Sequence, residues 1–389
     1  MNLLKKKLSQ KTRLKVDEAL DIIAKIEKTG RQTKLVGGCV RDFLMEKEPK
    51  DIDIATQATT KEISTIFEQK NQVVLTGVDH GTVTIIGKFG SYEVTTLRKD
   101  VSTDGRHAQV EFGDSFTEDA LRRDFTINAM YMDQHGEISD FFGGQKDLES
   151  QTIRFVGNPE ERIQEDHLRI MRLYRFWSQL GFQPEPASLK AATLGAPLLE
   201  RISRERITTE YWKLLQGQDY RKVLEYLFKQ DLWLAILDMN PSITFESLES
   251  FQDISMGPLQ IHWLLMHNAG GRLRLANKQK RILDALELFA DLPKIKCRAD
   301  GLLFAEKIEK TSQNEEVLEI LNFWQHVAKK SYLDKLATIK ELIQIETSHG
   351  FMRKNKPPFN SRQIADETGL EGRELGDHLR KLRYDYLNS

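Results

Sequence analysis

Cysteine is nearly missing from this chain. The only two in 389 residues, Cys39 and Cys297, offer neither a disulfide framework nor the paired spacing of a zinc site. Cys39, set inside a glycine turn, reads as a small packed residue. Long apolar runs are also missing, and nothing approaches the roughly 20 residues that cross a bilayer, so no membrane association is expected. Charge of one sign is not in excess: 57 Lys and Arg stand against 58 Asp and Glu, a net charge of −1. That balance argues against tight, non-specific nucleic-acid binding. The basic first fifteen residues lack an apolar signal core. Because Lys5, Lys6, Lys7, Lys11, Arg13 and Lys15 precede any acidic residue, a mitochondrial matrix location is the alternative to the cytoplasmic one expected. No low-complexity segment or internal repeat stands out. The length calls for two to four domains or an elongated helical assembly.

Positive charge is present, but in patches. It collects in residues 1–34, in Arg162–Arg175, at Arg201, Arg204 and Arg206, at Arg272–Arg281, and at Arg353, Lys354 and Lys356. A neutral total with local patches suits a selective, releasable RNA ligand.

The densest chemistry lies in Gly37-Gly38-Cys39-Val40-Arg41-Asp42, followed after eight residues by Asp51-Ile52-Asp53. Lys34–Val36 reads as the end of a buried strand. Gly37 and Gly38 let the backbone approach a ligand with no Cβ in the way, and a helix opening there points N–H groups at phosphate. Arg41 adds a mobile cation on its first turn. Asp51 and Asp53, two apart on a second strand, are expected to face one side while Ile52 and Ile54 face the core. Two carboxylates beside a phosphate cradle are the donor set that Mg2+ takes, and the chemistry they suggest is metal-assisted nucleotidyl transfer. Glu93, on the edge Tyr92–Arg98, is a candidate third carboxylate.

Short strand and helix signals alternate over residues 33–97: Lys34–Val36, Asp51–Ala55, a helical Thr60–Gln69, Val73–Thr76, Thr82–Gly87 and Tyr92–Leu97, with a hairpin turn over Gly87–Ser91. From about Asp119 onward the pattern becomes helical almost without a break, punctuated by Pro184, Pro186, Pro197 and Asn240-Pro241. The expected fold is α+β, a small head with a mixed sheet followed by an all-α remainder.

Two further constellations carry chemistry. In Arg122-Arg123-Asp124-Phe125-Thr126-Ile127-Asn128, expected to open an amphipathic helix, the guanidinium groups suit triphosphate oxygens and Asp124 suits a ribose hydroxyl. A capped, exposed helix start is the alternative. In the second, Asp166, Arg169, Arg172 and Arg175 are spaced by threes, which on one helix forms a shallow spiral of charge backed by Ile170, Leu173 and Trp177. A salt-bridged surface helix is the alternative there.

The glycine turn and Asp-x-Asp resemble the signature of the nucleotidyltransferase superfamily, to which DNA polymerase beta and the poly(A) polymerases belong. With Glu-Val-Thr-Thr-Leu-Arg (93–98), Asp-Gly-Arg-His-Ala (104–108), Arg-Arg-Asp-Phe-Thr-Ile-Asn-Ala (122–129) and Glu-Asp-x-Leu-Arg-x-x-Arg (165–172), the order resembles the class II tRNA nucleotidyltransferases, the CCA-adding enzymes. The resemblance is specific over residues 33–182 and weaker through Ser203–Ile207. The stretch Asp100–Ala108 looks most like the eukaryotic and alphaproteobacterial branch. The family implies a curved molecule with a head (1–138), a neck holding the base-recognition helices (139–210), a helical body (211–300) and a tRNA-binding tail (301–389). It also implies template-independent growth of a tRNA 3′ end from CTP and ATP with loss of pyrophosphate. Asp51, Asp53 and Glu93 would then be catalytic, the first two holding Mg2+. Gly37, Gly38, Arg41, Arg123, Asp124, Asp166, Arg169, Arg172 and Arg175 would bind nucleotide.

Hydrogen-bond chemistry agrees with that selectivity. Cytosine and adenine both present an amino donor beside a ring-nitrogen acceptor, which a carboxylate next to a guanidinium, Asp166 beside Arg169, complements. Uracil and guanine present the reverse order, and seating them leaves buried polar groups unpaired at about 1–3 kcal/mol each. The alternatives inside the family are a poly(A) polymerase and a CC-only or A-only enzyme. The unshortened Lys99–Phe112 stretch favours full CCA addition. A non-catalytic RNA-binding relative would lack Asp51 or Asp53, and both are here. None of the nine histidines is followed by Asp, so no phosphohydrolase domain is expected. The chain is expected to act as a monomer or homodimer.

Overall fold

The computed structural model describes residues 8–67, 73–77, 81–103 and 108–237, with scattered helical positions between 364 and 382. Most of the expected body and tail, Cys297, Asp104–His107 and the basic patches at 272–281 and 353–356 lie outside the described residues. Two compact units divide the chain, Met1–Leu237 and Asp238–Ser389, and the first of them carries the glycine turn and every other motif singled out above.

Helix α1 (Gln10–Glu27) opens where Ser9 accepts the Thr12 N–H, and it buries Val16, Ala19, Ile22, Ile23 and Ile26 along one stripe. Strand β1 (Thr33–Val36) runs into the glycine turn and α2 (Gly38–Leu44). Next come β2 (Asp53–Thr56), α3 (Thr60–Phe67), β3 (Val73–Gly77), β4 (Thr82–Ile86) and β5 (Ser91–Thr96). β6 (Arg98–Thr103) and β7 (Ala108–Phe112) pair antiparallel as a separate ribbon. After α4 (Phe116–Leu121) the chain makes a single 3-10 turn at Thr126–Asn128, then β8 (Met130–Met132) and β9 (Ile138–Asp140). The main sheet has the order β3-β4-β5-β2-β1-β8-β9. It is mixed, because β2 lies parallel to β5 while β1 lies antiparallel to both β2 and β8. One face packs on α1 through Ile22, Ile23, Leu35, Ile54, Val83 and Val94.

Helix α5 (Gly144–Glu149) and β10 (Thr152–Ile153) lead into α6 (Pro159–Glu165) and α7 (Arg169–Leu180). β11 (Gln183–Pro184) then pairs with β10 ahead of α8 (Pro186–Gly195), α9 (Arg204–Leu215), α10 (Tyr220–Lys229) and α11 (Trp233–Leu237). The fold is α+β, as expected, with four departures that bear on the site. Residues 122–130 do not form an amphipathic helix. Phe125, Ile127 and Ala129 to Met132 are all fully buried, and β8 docks on β1, so sheet pairing outweighs helical patterning. The region after Asp119 therefore still holds strands, and the boundary expected at 138/139 falls on β9. Strand β2 begins at Asp53, leaving Asp51 in the exposed approach to it. The spiral over residues 166–175 is broken as well. Asp166 ends α6 with φ −148 and ψ 103, and its side chain accepts the Leu168 N–H at 3.1 Å. Such local bonding is how Asp competes with a helix.

Candidate nucleotide-transfer site

Gly37 has φ +76, a conformation in which a Cβ is strained, and a Cβ there would meet Nη1 of Arg123 at 3.3 Å. The turn it makes opens a cavity of about 860 Å³. Gly37, Gly38, Arg41, Asp51, Asp53, Arg123, Asp124, Asn128, Arg172, Arg175 and Phe176 form much of its wall, and Gln179 on α7, Lys213 on α9, and Gln216 and Gln218 just after α9 add to it.

The acidic corner is built by strand register. Asp53 on β2 stands opposite Glu93 on the parallel β5, with Asp51 two residues upstream. Burial, Glu93 and Asp51 together push the Asp53 carboxyl up to about 6, against the pull of Arg123. Carboxylates crowding one another in this way are relieved by a bound cation. The donor chemistry of Asp51 and Asp53 fits a hard divalent ion. Among the described residues no group of three His, Cys, Asp or Glu side chains closes around such an ion.

The cations are held in place. Arg41, expected to be mobile, donates to Asp42 Oδ1 at 2.9 and 2.6 Å and to Asn128 Oδ1 at 2.7 Å, and lies over the Phe176 ring at 5.4 Å. Arg123 donates to Asp119. Arg172 donates from Nε to Asp124 Oδ2 at 2.7 Å and pairs with the same oxygen through Nη2. Arg175 stacks on Phe176 at 4.2 Å and sits 2.9 Å from buried Glu210.

Asp124 is not left open for a ribose hydroxyl. Its Oδ1 accepts from the Phe125 N–H at 2.9 Å and from Asn128 Nδ2 at 3.3 Å, while Arg172 takes Oδ2. That uses the four lone-pair positions of a carboxylate. Burial raises its pKa, but Arg172 and these hydrogen bonds more than reverse the effect and leave the carboxyl below the usual range.

The other motif pair is also placed differently from expectation. Neither Asp166 nor Arg169 lines the cavity. Asp166 pairs with Arg206 at 3.2 Å. Arg169, buried, donates to Glu165 at 2.7 Å and to the carbonyls of Arg162 and Arg122 at 2.7 and 3.0 Å. Sequence reasoning overlooked Asn128, which bridges Arg41 and Asp124. Its place in the Arg-Arg-Asp-Phe-Thr-Ile-Asn run was the available signal. It also overlooked Phe176 and Asp119, whose roles depend on contacts across the fold.

Residues 33–154 match the family described as the poly A polymerase head domain, and residues 181–245 match a probable RNA- and SrmB-binding site of polymerase A. Two CCA-adding enzymes of Streptococcus pyogenes, from strains of serotypes M3 and M5, are 46% and 45% identical over 207 residues, 53% of this chain and 51% of each relative. The matched region thus spans about half the length of these curated relatives. A Bacillus stearothermophilus CCA-adding enzyme solved in complex with CTP superposes with a TM-score of 0.74 and 27% identity, covering 98% of this chain and 94% of that one. A Thermotoga maritima CCA-adding enzyme complexed with tRNA has the same fold, with a TM-score of 0.65 and 19% identity over 100% of this chain and 94% of that one. Over residues 33–154 the chain is similar to the poly A polymerase head domain, and over 207 residues to CCA-adding enzymes. The expected kinship with the eukaryotic and alphaproteobacterial branch is not supported. It rested on nine residues around a hairpin, which weigh little against 207 aligned with Streptococcus proteins.

Proposed function

We propose that this chain adds CCA to the 3′ end of tRNA, using CTP and ATP and releasing pyrophosphate. The observation that carries the reading is the convergence of the Gly37 turn, Asp51, Asp53 and the Arg123, Arg172 and Arg175 guanidinium groups on one cavity. The resemblance to CCA-adding enzymes supports the choice of substrate. Among the described residues no helix is long and apolar enough to cross a membrane, and we place the activity in the cytoplasm.

Asp51 and Asp53 would hold Mg2+, which when bound lowers the pKa of a primer hydroxyl and offsets charge on the α-phosphate. The chain's own groups do the rest. Gly37 and Gly38 let the polyphosphate lie against the backbone. Arg123 supplies Nη1 to it beside that turn, and the fixed positions of Arg41 and Arg172 place positive charge with little ordering left to do on binding. Phe176, already flanked by Arg41, Arg172 and Arg175, offers an apolar face for a base.

For base choice the family resemblance points to Asp166 and Arg169, which stand outside the cavity wall, so reading a base requires Asp166 to leave its present partner. Arg169 is fixed by buried contacts, whereas the Asp166–Arg206 pair keeps 29% and 38% side-chain exposure. Such pairs are worth at most about 1 kcal/mol, so Asp166 can exchange Arg206 for the amino group of cytosine or adenine. The deciding experiment gives purified protein tRNA transcripts ending before CCA, after C and after CC, with each nucleotide singly and together. The expected products end in CCA and stop there. Runs of A on any of these transcripts, or no extension at all, would overturn the reading.

A further inference from the structure

Asp119 lies outside the cavity wall, yet it is 1% exposed among three donors. Oδ1 accepts from Arg122 Nε at 2.8 Å and Nη2 at 2.7 Å. Oδ2 accepts from Arg123 Nε at 3.2 Å and Nη2 at 3.0 Å, and from the Tyr131 hydroxyl at 2.7 Å. Tyr131, fully buried on β8, places its ring 5.5 Å from the Arg123 guanidinium carbon and its hydroxyl 3.3 Å from Arg123 Nε. The grip therefore takes Nε and Nη2 and leaves Nη1, the nitrogen beside the Gly37 turn. Burial raises the Asp119 pKa, and Arg123, Arg122 and the Tyr131 hydroxyl together bring it down to about 2.

We propose that Asp119 is a positioning residue for the nucleoside triphosphate. With Tyr131 it clamps one edge of the Arg123 guanidinium so that the free edge faces the β- and γ-phosphates. The inference rests on the cavity being the nucleotide site proposed above. A carboxylate that merely neutralised Arg123 would weaken phosphate binding, and its removal would tighten it. A clamp predicts the opposite sign.

The test measures dissociation constants of CTP and CMP for wild type, Asp119→Asn, Arg123→Gln and the double variant, with CTP KM and kcat alongside. Asp119→Asn should weaken CTP about tenfold and CMP less than about twofold, the scale of one charge-assisted hydrogen bond lost to disorder. KM should rise with it while kcat changes less. On the Arg123→Gln background, Asp119→Asn should add less than about twofold, because the two act as one unit. Tighter CTP binding, equal losses for CTP and CMP, unchanged binding, or a full extra loss on the Arg123→Gln background would each overturn the proposal. If Asp119→Asn does not fold, Tyr131→Phe decides, with a CTP loss of about two- to fivefold expected and an unchanged CTP-to-CMP ratio overturning it. Failure of the wild type to bind CTP would instead sink the nucleotide reading of the cavity.

Discussion

The two ends of the proposed nucleotide path are built to different standards of rigidity. At the phosphate end three arginines have buried or shared anchors: Arg123 on Asp119, Arg172 on Asp124, Arg41 on Asp42 and Asn128. At the proposed base end Asp166 sits past the end of a helix in a half-exposed pair with Arg206. A triphosphate is common to CTP and ATP, so fixed charges can serve both. In the proposed reaction the base changes between additions, and a side chain that must meet two ring sizes gains from a weak partner it can leave. One end is preorganised and the other is exchangeable.

The largest expected effect breaks the phosphate end at its acidic corner. Asp53→Ala or Asp51→Ala should lower incorporation of both CTP and ATP by about a thousandfold or more, the scale of several kcal/mol supplied by a Lewis acid at the reacting phosphate. Retention of tRNA should stay within about twofold in a filter-binding assay, since neither carboxylate is positioned to attract RNA. Selective loss of one nucleotide would move these residues from the shared end to the exchangeable one.

Much of the rigid end was legible because it is local in sequence. The glycine turn, its Arg41 and the Asp-x-Asp lie within seventeen residues, and strand alternation around them follows from burial of Leu35, Ile54 and Val94. Glu93 was readable only as a candidate, since its position depends on the parallel pairing of β5 with β2. The anchors were not readable at all. That Arg41 bonds Asn128, 87 positions away, or that Asp124 is spent on Arg172 follows from β8 joining the sheet where a helix was expected. The break at Asp166 was missed for a different reason. Spacing by threes fits one helix, and the local Asp166–Leu168 bond that ends it leaves no periodic trace.

A middle-sized effect sharpens the comparison at Asp124. Asp124→Ala leaves Arg172 half-buried without its partner, and stability should fall by about 2 kcal/mol, less than for a fully buried pair because Arg172 keeps some solvent. The pH dependence has a definite sign. The folded carboxyl lies below its ordinary range, so its contribution is fully present above the unfolded pKa and is lost as pH falls through the folded one. Acid unfolding of the wild type should therefore be steeper than that of Asp124→Ala. KM for CTP and ATP should rise together, with ribose over deoxyribose preference unchanged, because the carboxylate holds Arg172 and not the sugar. Lost sugar discrimination in single-nucleotide incorporation with CTP against dCTP would restore Asp124 as a ribose acceptor.

The smallest effect in stability is the most informative about the exchangeable end. If Asp166 trades Arg206 for a base, the two partners should separate on mutation. Asp166→Ala removes the acceptor for the amino group, and preference for CTP and ATP over UTP and GTP should fall about ten- to a hundredfold, the worth of a charge-assisted hydrogen bond in a closed site. Arg206→Ala removes only the resting partner. It should cost at most about 1 kcal/mol of stability, leave selectivity intact, and slightly improve KM for both correct nucleotides, because Asp166 no longer has a competing cation to leave. Incorporation of all four nucleotides on transcripts ending before CCA and after CC measures both variants. Should Asp166→Ala fold and keep the wild-type preference, the pair is a surface salt bridge and base choice lies on the cavity wall itself, where Gln179 and Gln216 present polar side chains. Should Arg206→Ala lose selectivity as Asp166→Ala does, the pair acts as a fixed unit, and the contrast between a rigid phosphate end and an exchangeable base end is wrong.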